Sequence, residues 1–294
     1  MLIIRSLFFA PANRSDLVGK FPRFAADCFV IDLEDGTPPA EKASARAGIA
    51  QLVGSVRQHT LAGVLTIRVN DPDSDHYLDD LDVALRCDVD GIVVAKLERV
   101  EQLFPALHLL RRLERDQPRG SPRFIVAGIE SIQGVANAAA LCSADPAVAA
   151  VYFGAEDLAS DLGARRTAEA AEVMYARSHV LLHAKAARII AIDQAVLEIR
   201  DDQQFEADAT AGRNLGYDGK ICVLPRQVEV ANRVFSPSDA ELDFSRRLIA
   251  RYEQSMAQGI GTIDFEGKMV DGPLLKRSQR LVAIGDAIAA KARP

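Results

Sequence analysis

Three short apolar runs decide the fold prediction: CFVIDL at residues 28–33, GIVVAK at 91–96 and FIVAGI at 124–129. None of them alternates strictly between apolar and polar residues. A strand with one face in water alternates in this way, whereas a strand that is covered on both faces reads as a continuous apolar run. The three runs are therefore typical of parallel strands in a sheet that helices cover.

Outward from these runs, strand candidates alternate with helical stretches along the chain. The eight strand candidates are Ser6–Pro11, Cys28–Leu33, Leu65–Val69, Gly91–Ala95, Phe124–Ile129, Val151–Gly154, Ile189–Val196 and Lys220–Leu224. Helical spacing predicts helices over Arg14–Ala26, Pro39–Val56, Val100–Arg115, Ser131–Ser143, Ala170–Ala187 and Phe205–Leu215. Eight strands, each followed by a helix, predict an α/β fold of the (β/α)₈ TIM-barrel class, with an open doubly wound sheet as the alternative.

The residues after the eighth strand candidate form a separate segment. We assign residues 1–235 to the barrel and residues 236–294 to a C-terminal helical extension, with helices over Ser238–Gln258 and Gly272–Ala290. The extension is too long to be a simple cap. We expect it to cover the barrel mouth or to pack on a neighbouring subunit.

Composition argues against several classes of protein. The chain has 41 acidic and 35 basic side chains, a net charge of −6, which argues against a nucleic-acid partner. No apolar run reaches the roughly 18 residues that span a bilayer, so we expect no membrane insertion. The first residues lack the features of a signal peptide, and the four cysteines form no CxxC pair. These features predict a cytoplasmic location without disulfides.

Carboxylates follow two consecutive strand candidates. Glu130 ends the fifth strand and Asp157 follows the sixth, so the two should lie side by side at the barrel end where reacting groups collect. Without a nearby His or Cys, they suit a hard cation such as Mg²⁺, which prefers oxygen ligands. Arg68, near the end of the third strand, could clamp a carboxylate with two parallel hydrogen bonds. The alternatives are a carboxylate pair that shares a proton and a set of structural ion pairs.

Two cations follow the first strand candidate. Arg14 and Lys20 fall within two turns of the predicted helix and could bind the phosphate groups of a cofactor-like tail. The alternative is an ordinary solvated helix face. No Walker A or GxGxxG pattern occurs, so neither a nucleoside triphosphate nor NAD is indicated.

A set of sequence motifs resembles those of a known protein family and occurs along this chain in the same order as in that family. The matching segments are RSLFFAPANR (5–14), VIDLEDGTPPAEKASAR (30–46), TIRVN (66–70), AGIESIQGV (127–135), YFGAEDLASDLG (152–163), LGYDGKICVLPRQV (215–228), VFSPSDAE (234–241) and GKMVDGP (267–273). They resemble the CitE-like family, which comprises citrate lyase β subunits and malyl-CoA and citramalyl-CoA lyases of the HpcH/HpaI aldolase superfamily. The resemblance covers nearly the whole chain.

The resemblance implies a role for each matching residue. Glu130 and Asp157 look like the magnesium ligands, and Arg68 like the arginine that holds the keto-acid carboxylate. Phe9, Arg14 and Lys20 match positions that contact substrate or coenzyme A. Asp271 resembles an acid/base aspartate that one subunit delivers to its neighbour's active site. Asp35 and Lys96 are candidates for orienting the water ligands of the metal, or for a structural ion pair.

The implied activity is cleavage of a 3-hydroxyacyl-CoA thioester, of the citramalyl-CoA or malyl-CoA type, into a 2-keto acid or glyoxylate and an acyl-CoA. Family members are usually trimers or hexamers, so a homotrimer or homohexamer is expected. One departure is Val223-Leu224-Pro225, where the family commonly has Ile-His-Pro. The alternatives are the citryl-CoA lyase β subunit of a citrate lyase complex, a metal-dependent 2-keto acid aldolase without coenzyme A, and a condensing enzyme similar to malate synthase.

Overall fold

Eight parallel strands close into a barrel in the computed structural model of this chain, which describes residues 2–291. The strands, β1 to β8, are Ser6–Pro11, Cys28–Asp32, Val64–Val69, Gly91–Val94, Phe124–Ile129, Val148–Phe153, Ile190–Asp193 and Gly219–Cys222. Each pairs with the next, and β1 also pairs with β8. That last pairing excludes the open doubly wound sheet, so the barrel prediction is confirmed.

The quoted apolar runs form strands that are buried along their whole length. Every residue of β2, β4 and β5 is buried, since each strand lies between the barrel interior and the surrounding helices. Those helices, α1 to α10, are Ser15–Val18, Lys42–Arg57, Tyr77–Arg86, Phe104–Asp116, Ile132–Ala136, Ala138–Cys142, Ala155–Asp161, Met174–Ala187, Asp202–Leu215 and Pro225–Val234. Short 3₁₀ turns occur at Phe21–Arg23, Pro39–Glu41, Val100–Leu103 and Ala171–Val173.

Two predicted helices are interrupted. The helix predicted over Arg14–Ala26 is only the four residues of α1 and a 3₁₀ turn, because Gly19 and Pro22 do not support a continuous helix. The helix predicted over Ser131–Ser143 divides at Asn137, whose side-chain amide donates to the Glu98 carbonyl at 2.7 Å. Asn137 has φ −99° and ψ 10°, outside the α-helical region.

Contacts divide the chain into two compact units, residues Ile4–Arg233 and a second unit that contains residues 2–3 and 234–291. The second unit holds α11, Asp239–Met256, and α12, Gly272–Lys291. The glycine-rich connection between them forms a hairpin of β9, Ile263–Phe265, and β10, Lys268–Val270. Glu266 and Gly267 both have positive φ (52° and 75°), as a two-residue type I′ turn requires.

The second unit has a small apolar core of its own. Leu248, Tyr252, Ile263 and Val270 are buried there, and Phe244 and Phe265 pack against them. Over residues 2–291, no helix is both long enough and apolar enough to cross a bilayer.

Candidate active site

Glu130 and Asp157 line one cavity of about 340 Å³ in the barrel unit. Glu130 directly follows β5, and Asp157 lies in the first turn of α7, which begins two residues after β6 ends. The cavity lies at the carboxyl ends of β3 to β6, where barrel enzymes place their reacting groups. Its lining residues are Asp71, Asp73, Lys96, Glu98, Glu130, Ser131, Asp157, Ser160 and Asp161.

The Glu130 carboxylate is held from two sides and is only 3% exposed. Its Oε1 accepts hydrogen bonds from the Lys96 backbone N–H at 2.8 Å and from the Tyr152 hydroxyl at 2.6 Å. Close packing makes two glycines necessary. A Cβ on Gly154 would lie 2.3 Å from Glu130 Oε2, and a Cβ on Gly128 would lie 2.4 Å from the Tyr152 hydroxyl.

The electrostatics of Glu130 fit a cation site. Burial, opposed by Arg68 and reinforced by the negative charge of Asp157, raises the pKa of Glu130 to about 7. Within residues 2–291, no group of three or more His, Cys, Asp or Glu side chains is arranged to hold a metal ion. Two carboxylates on one cavity whose described lining residues include no His or Cys fit Mg²⁺, which usually keeps several water ligands. The residues present therefore fit such an ion.

Lys96 connects the predicted metal ligands to the end of β2. Its Nζ lies 2.7 Å from Glu34 Oε1, 3.0 Å from Asp35 Oδ2 and 3.6 Å from Asp157 Oδ1. Its backbone is left-handed, with φ 49°, an uncommon conformation for a residue other than glycine. The Asp35–Lys96 ion pair, which was one of the two alternatives for these residues, is thus present, and it also includes Glu34.

Arg68 is fixed by three neighbours. Its Nε and Nη2 each donate to a different oxygen of Asp32 at 2.7 Å, and Nη2 lies 3.3 Å from Glu34. The guanidinium lies over the Phe9 ring at 5.0 Å. Burial alone would lower the pKa of Arg68, but the Asp32 charge raises it well above its usual value. In the described part of the chain, Nη1 of Arg68 has no hydrogen-bond partner, so this atom can donate to a ligand.

The prediction that Arg14 and Lys20 share two turns of one helix is wrong. Arg14 precedes the four-residue helix α1, and Lys20 follows it, after Gly19. Both side chains are exposed, and Arg14 pairs with Asp16 at 2.8 Å. They remain close to the end of β1, but part of the Arg14 charge is already neutralised.

Asp193 is not among the residues that line the cavity in the described part of the chain. Asp193 ends β7, where it is fully buried and pairs with Arg177 of α8 and with Lys220 of β8. Asp271 belongs to the second unit. It follows β10, and its carbonyl accepts from the Leu275 N–H at 3.1 Å.

Three contributing residues were not assigned a role from the sequence. Asp32 and Glu34 flank Arg68, and Tyr152 supports Glu130. Asp32 is the last residue of β2 and Glu34 lies two residues after it, and acidic residues at the end of an apolar strand were a recognisable signal. Tyr152 was hidden in the apolar run of β6, because a buried tyrosine cannot be distinguished from a core residue until its hydroxyl partner is known.

Comparison with known proteins supports a family assignment. Residues 5–225 match the sequence model of the family described as HpcH/HpaI aldolase/citrate lyase. A citrate lyase subunit beta-like protein of Deinococcus radiodurans is 39% identical over 285 residues, which cover 96% of this chain and 97% of that protein. Human mitochondrial citramalyl-CoA lyase is 29% identical, over 98% of this chain and 87% of that protein.

A solved structure agrees over nearly the full length. Protein CitE from Mycobacterium tuberculosis, in complex with magnesium, acetoacetate and coenzyme A, superposes with a TM-score of 0.76 at 28% identity. The match covers 96% of this chain and 97% of that chain. The family predicted from the motifs is therefore confirmed: this chain belongs to the HpcH/HpaI aldolase/citrate lyase family of carbon–carbon lyases.

Proposed function

We propose that this chain is a magnesium-dependent lyase that cleaves a 3-hydroxyacyl-CoA thioester of the citramalyl-CoA or malyl-CoA type. The products would be a 2-keto acid or glyoxylate and an acyl-CoA. The observation that carries this proposal is the pair of carboxylates, Glu130 and Asp157, on one cavity. The magnesium, acetoacetate and coenzyme A bound to the CitE relative give it further support.

Glu130 and Asp157 would hold the magnesium ion. When bound, the ion would supply Lewis-acid stabilisation of negative charge on the substrate oxygens. Tyr152 and the Lys96 N–H orient the Glu130 carboxylate for this task through their hydrogen bonds to Oε1. Asp35 and the Lys96 side chain would orient water beside it.

Arg68 would bind the carboxylate of the keto-acid portion. Its Nη1 is the atom with a free donor, and the Phe9 ring keeps the guanidinium in a defined orientation. Arg14 and Lys20 would contact the coenzyme A portion as cations. Because Arg14 is paired with Asp16, we expect Lys20 to contribute more.

Asp271 would act as the acid/base residue. The substrate hydroxyl would pass its proton to water, its oxygen would become the carbonyl oxygen of the 2-keto acid, and the electron pair of the broken carbon–carbon bond would remain on the thioester as an enolate. Asp271 would then protonate the enolate carbon, which gives the acyl-CoA. We propose that the extension delivers Asp271 to a neighbouring subunit in a homotrimer or homohexamer, and that the enzyme works in the cytoplasm.

A citryl-CoA lyase β subunit is the second candidate, favoured by the name of the 39%-identical relative. The test is a panel of citramalyl-, malyl- and citryl-CoA, assayed for keto-acid release with magnesium and with EDTA. We expect turnover of citramalyl- or malyl-CoA by the isolated chain, and loss of turnover in Glu130→Ala, in Asp157→Ala and in EDTA. Full activity in EDTA would refute the metal assignment, and turnover of citryl-CoA alone would favour the second candidate.

A further inference from the structure

The cavity carries a strong excess of negative charge. Of the nine residues that line it in the described part of the chain, six have carboxylates and Lys96 alone has a cationic side chain. Carboxylates crowded together repel one another unless a cation lies among them. Among the lining carboxylates, Asp73 and Glu98 pair with Arg99, at 2.9 and 3.7 Å, whereas the cation beside Asp157 in the metal-free protein is the Lys96 ammonium.

The Lys96 ammonium contacts carboxylates from two different parts of the barrel. Glu34 and Asp35, after β2, lie 2.7 and 3.0 Å from Nζ, and Asp157, on α7, lies 3.6 Å away. The first two contacts are close enough for hydrogen bonds, whereas the third is longer and purely electrostatic. Nζ is therefore anchored at the end of β2 and leans towards one of the two proposed metal ligands.

We propose that Lys96 is the internal counter-ion of the metal-free site, and that a divalent cation binds by replacing the Lys96 ammonium as the partner of Asp157. This inference rests on the proposed function for its assignment of Glu130 and Asp157 to the metal. It adds that the affinity for the ion is set by a competing positive charge built into the chain. Lys96 is thus a positioning residue, which holds the carboxylates together until the ion arrives.

Two consequences follow from the competition. A single positive charge about 5 Å from a divalent ion weakens its binding on the order of tenfold, even with the screening of bulk water. Without the ion, loss of the ammonium leaves Glu34, Asp35 and Asp157 without their shared cation, which destabilises the metal-free fold. The alternative is an ion pair that only ties β2 to β4 and has no effect on the ion.

The test is calorimetric titration of EDTA-stripped protein with MgCl₂, without substrate. Lys96→Gln should bind Mg²⁺ about tenfold more tightly than the wild type, whereas Lys96→Arg, which keeps the charge, should stay within about threefold. Lys185→Gln is the matched control, because Lys185 also pairs with an aspartate, Asp218, and its side chain is 25% exposed against 26% for Lys96. Its Mg²⁺ affinity should equal that of the wild type.

A second measurement is the melting temperature in EDTA and in saturating Mg²⁺. Lys96→Gln should melt below the wild type in EDTA, and the difference should close with Mg²⁺. Should Lys96→Gln fold poorly, Lys96→Asn removes the same charge and tolerates the left-handed backbone. Unchanged or weaker Mg²⁺ affinity in these variants would overturn the proposal for Lys96 alone. A wild type that binds no Mg²⁺ would instead remove the metal from the proposed function.

Discussion

Replacement of Glu130 by glutamine should stabilise the metal-free protein. The amide oxygen of Glu130→Gln can still accept from the Lys96 N–H and the Tyr152 hydroxyl, whereas the buried charge is removed. Burial raises the pKa of Glu130 from its ordinary value of 4.5 to about 7. This difference in pKa corresponds to roughly 3 kcal/mol, by which ionisation of Glu130 lowers the unfolding free energy of the wild type. Because the Asp157 side chain can move and reduce its repulsion of Glu130, we expect Glu130→Gln to raise the unfolding free energy by about 1–3 kcal/mol at pH 8.

The sign of the pH dependence follows from the same pKa. A carboxyl whose pKa is higher in the folded than in the unfolded state binds its proton more tightly when folded. Below about pH 4.5 the buried carboxyl therefore costs the wild type no unfolding free energy. The unfolding free energy falls as the pH rises from there through 7, and above that pH the loss is complete. The advantage of Glu130→Gln should shrink to less than about 1 kcal/mol at pH 5.

The assay is urea denaturation in EDTA at pH 8 and at pH 5, followed by circular dichroism. Glu98→Gln is the control, because Glu98 lines the same cavity but its side chain is 31% exposed. That variant should change the unfolding free energy by less than about 0.5 kcal/mol. A less stable Glu130→Gln at pH 8, or an equal gain at both pH values, would refute the reasoning.

Three further predictions test other parts of the molecule. Gly128→Ala should lower the unfolding free energy, measured in urea, by about 1–3 kcal/mol, since its Cβ would lie 2.4 Å from the Tyr152 hydroxyl. Gly48→Ala, on the open side of α2, is the control and should not lower the unfolding free energy. Equal effects of the two substitutions would contradict the argument from packing. Asp271→Asn should abolish deuterium exchange at the acetyl-CoA methyl group, measured by NMR; unchanged exchange would remove Asp271 from the reaction. All four cysteines are buried, and burial raises the pKa of the Cys142 thiol to about 12, so none should react with a thiol reagent at pH 8 until the protein is denatured.

The sequence predicted the barrel because its strands carry a strong local signal. Continuous apolar runs such as FIVAGI remain strands in any arrangement that buries both faces. Element ends were less predictable, since they depend on single contacts, as when Asn137 turns its amide to the Glu98 carbonyl and ends a helix. The β9–β10 hairpin was missed because its turn is Glu266-Gly267, a less common pair than the Asn-Gly or Asp-Gly typical of such turns.

The candidate site likewise has a part that the sequence predicts and a part that it does not. Glu130 and Asp157 could be expected to line one cavity because they follow neighbouring strands, and neighbouring strands place their ends together. The partners that orient them could not be predicted. The Lys96 N–H faces Glu130 only because its residue adopts a left-handed backbone, and Asp193 turns towards the helices because Arg177 lies there. Such choices are made by tertiary packing, which single-sequence patterns do not encode.

The fixed guanidinium of Arg68 has a consequence for selectivity. Long cationic side chains normally lose rotational freedom when they capture an anion, at about 0.5–1.5 kcal/mol for each one immobilised. Arg68 is already immobilised by Asp32 and the Phe9 ring, so the carboxylate that we propose it binds would meet a rigid guanidinium. A guanidinium that cannot move selects anions by their shape, because Arg68 cannot turn to meet an anion that approaches from another angle. Small changes around position 9 or 32 would therefore redirect the preferred acid more than they would weaken binding in general.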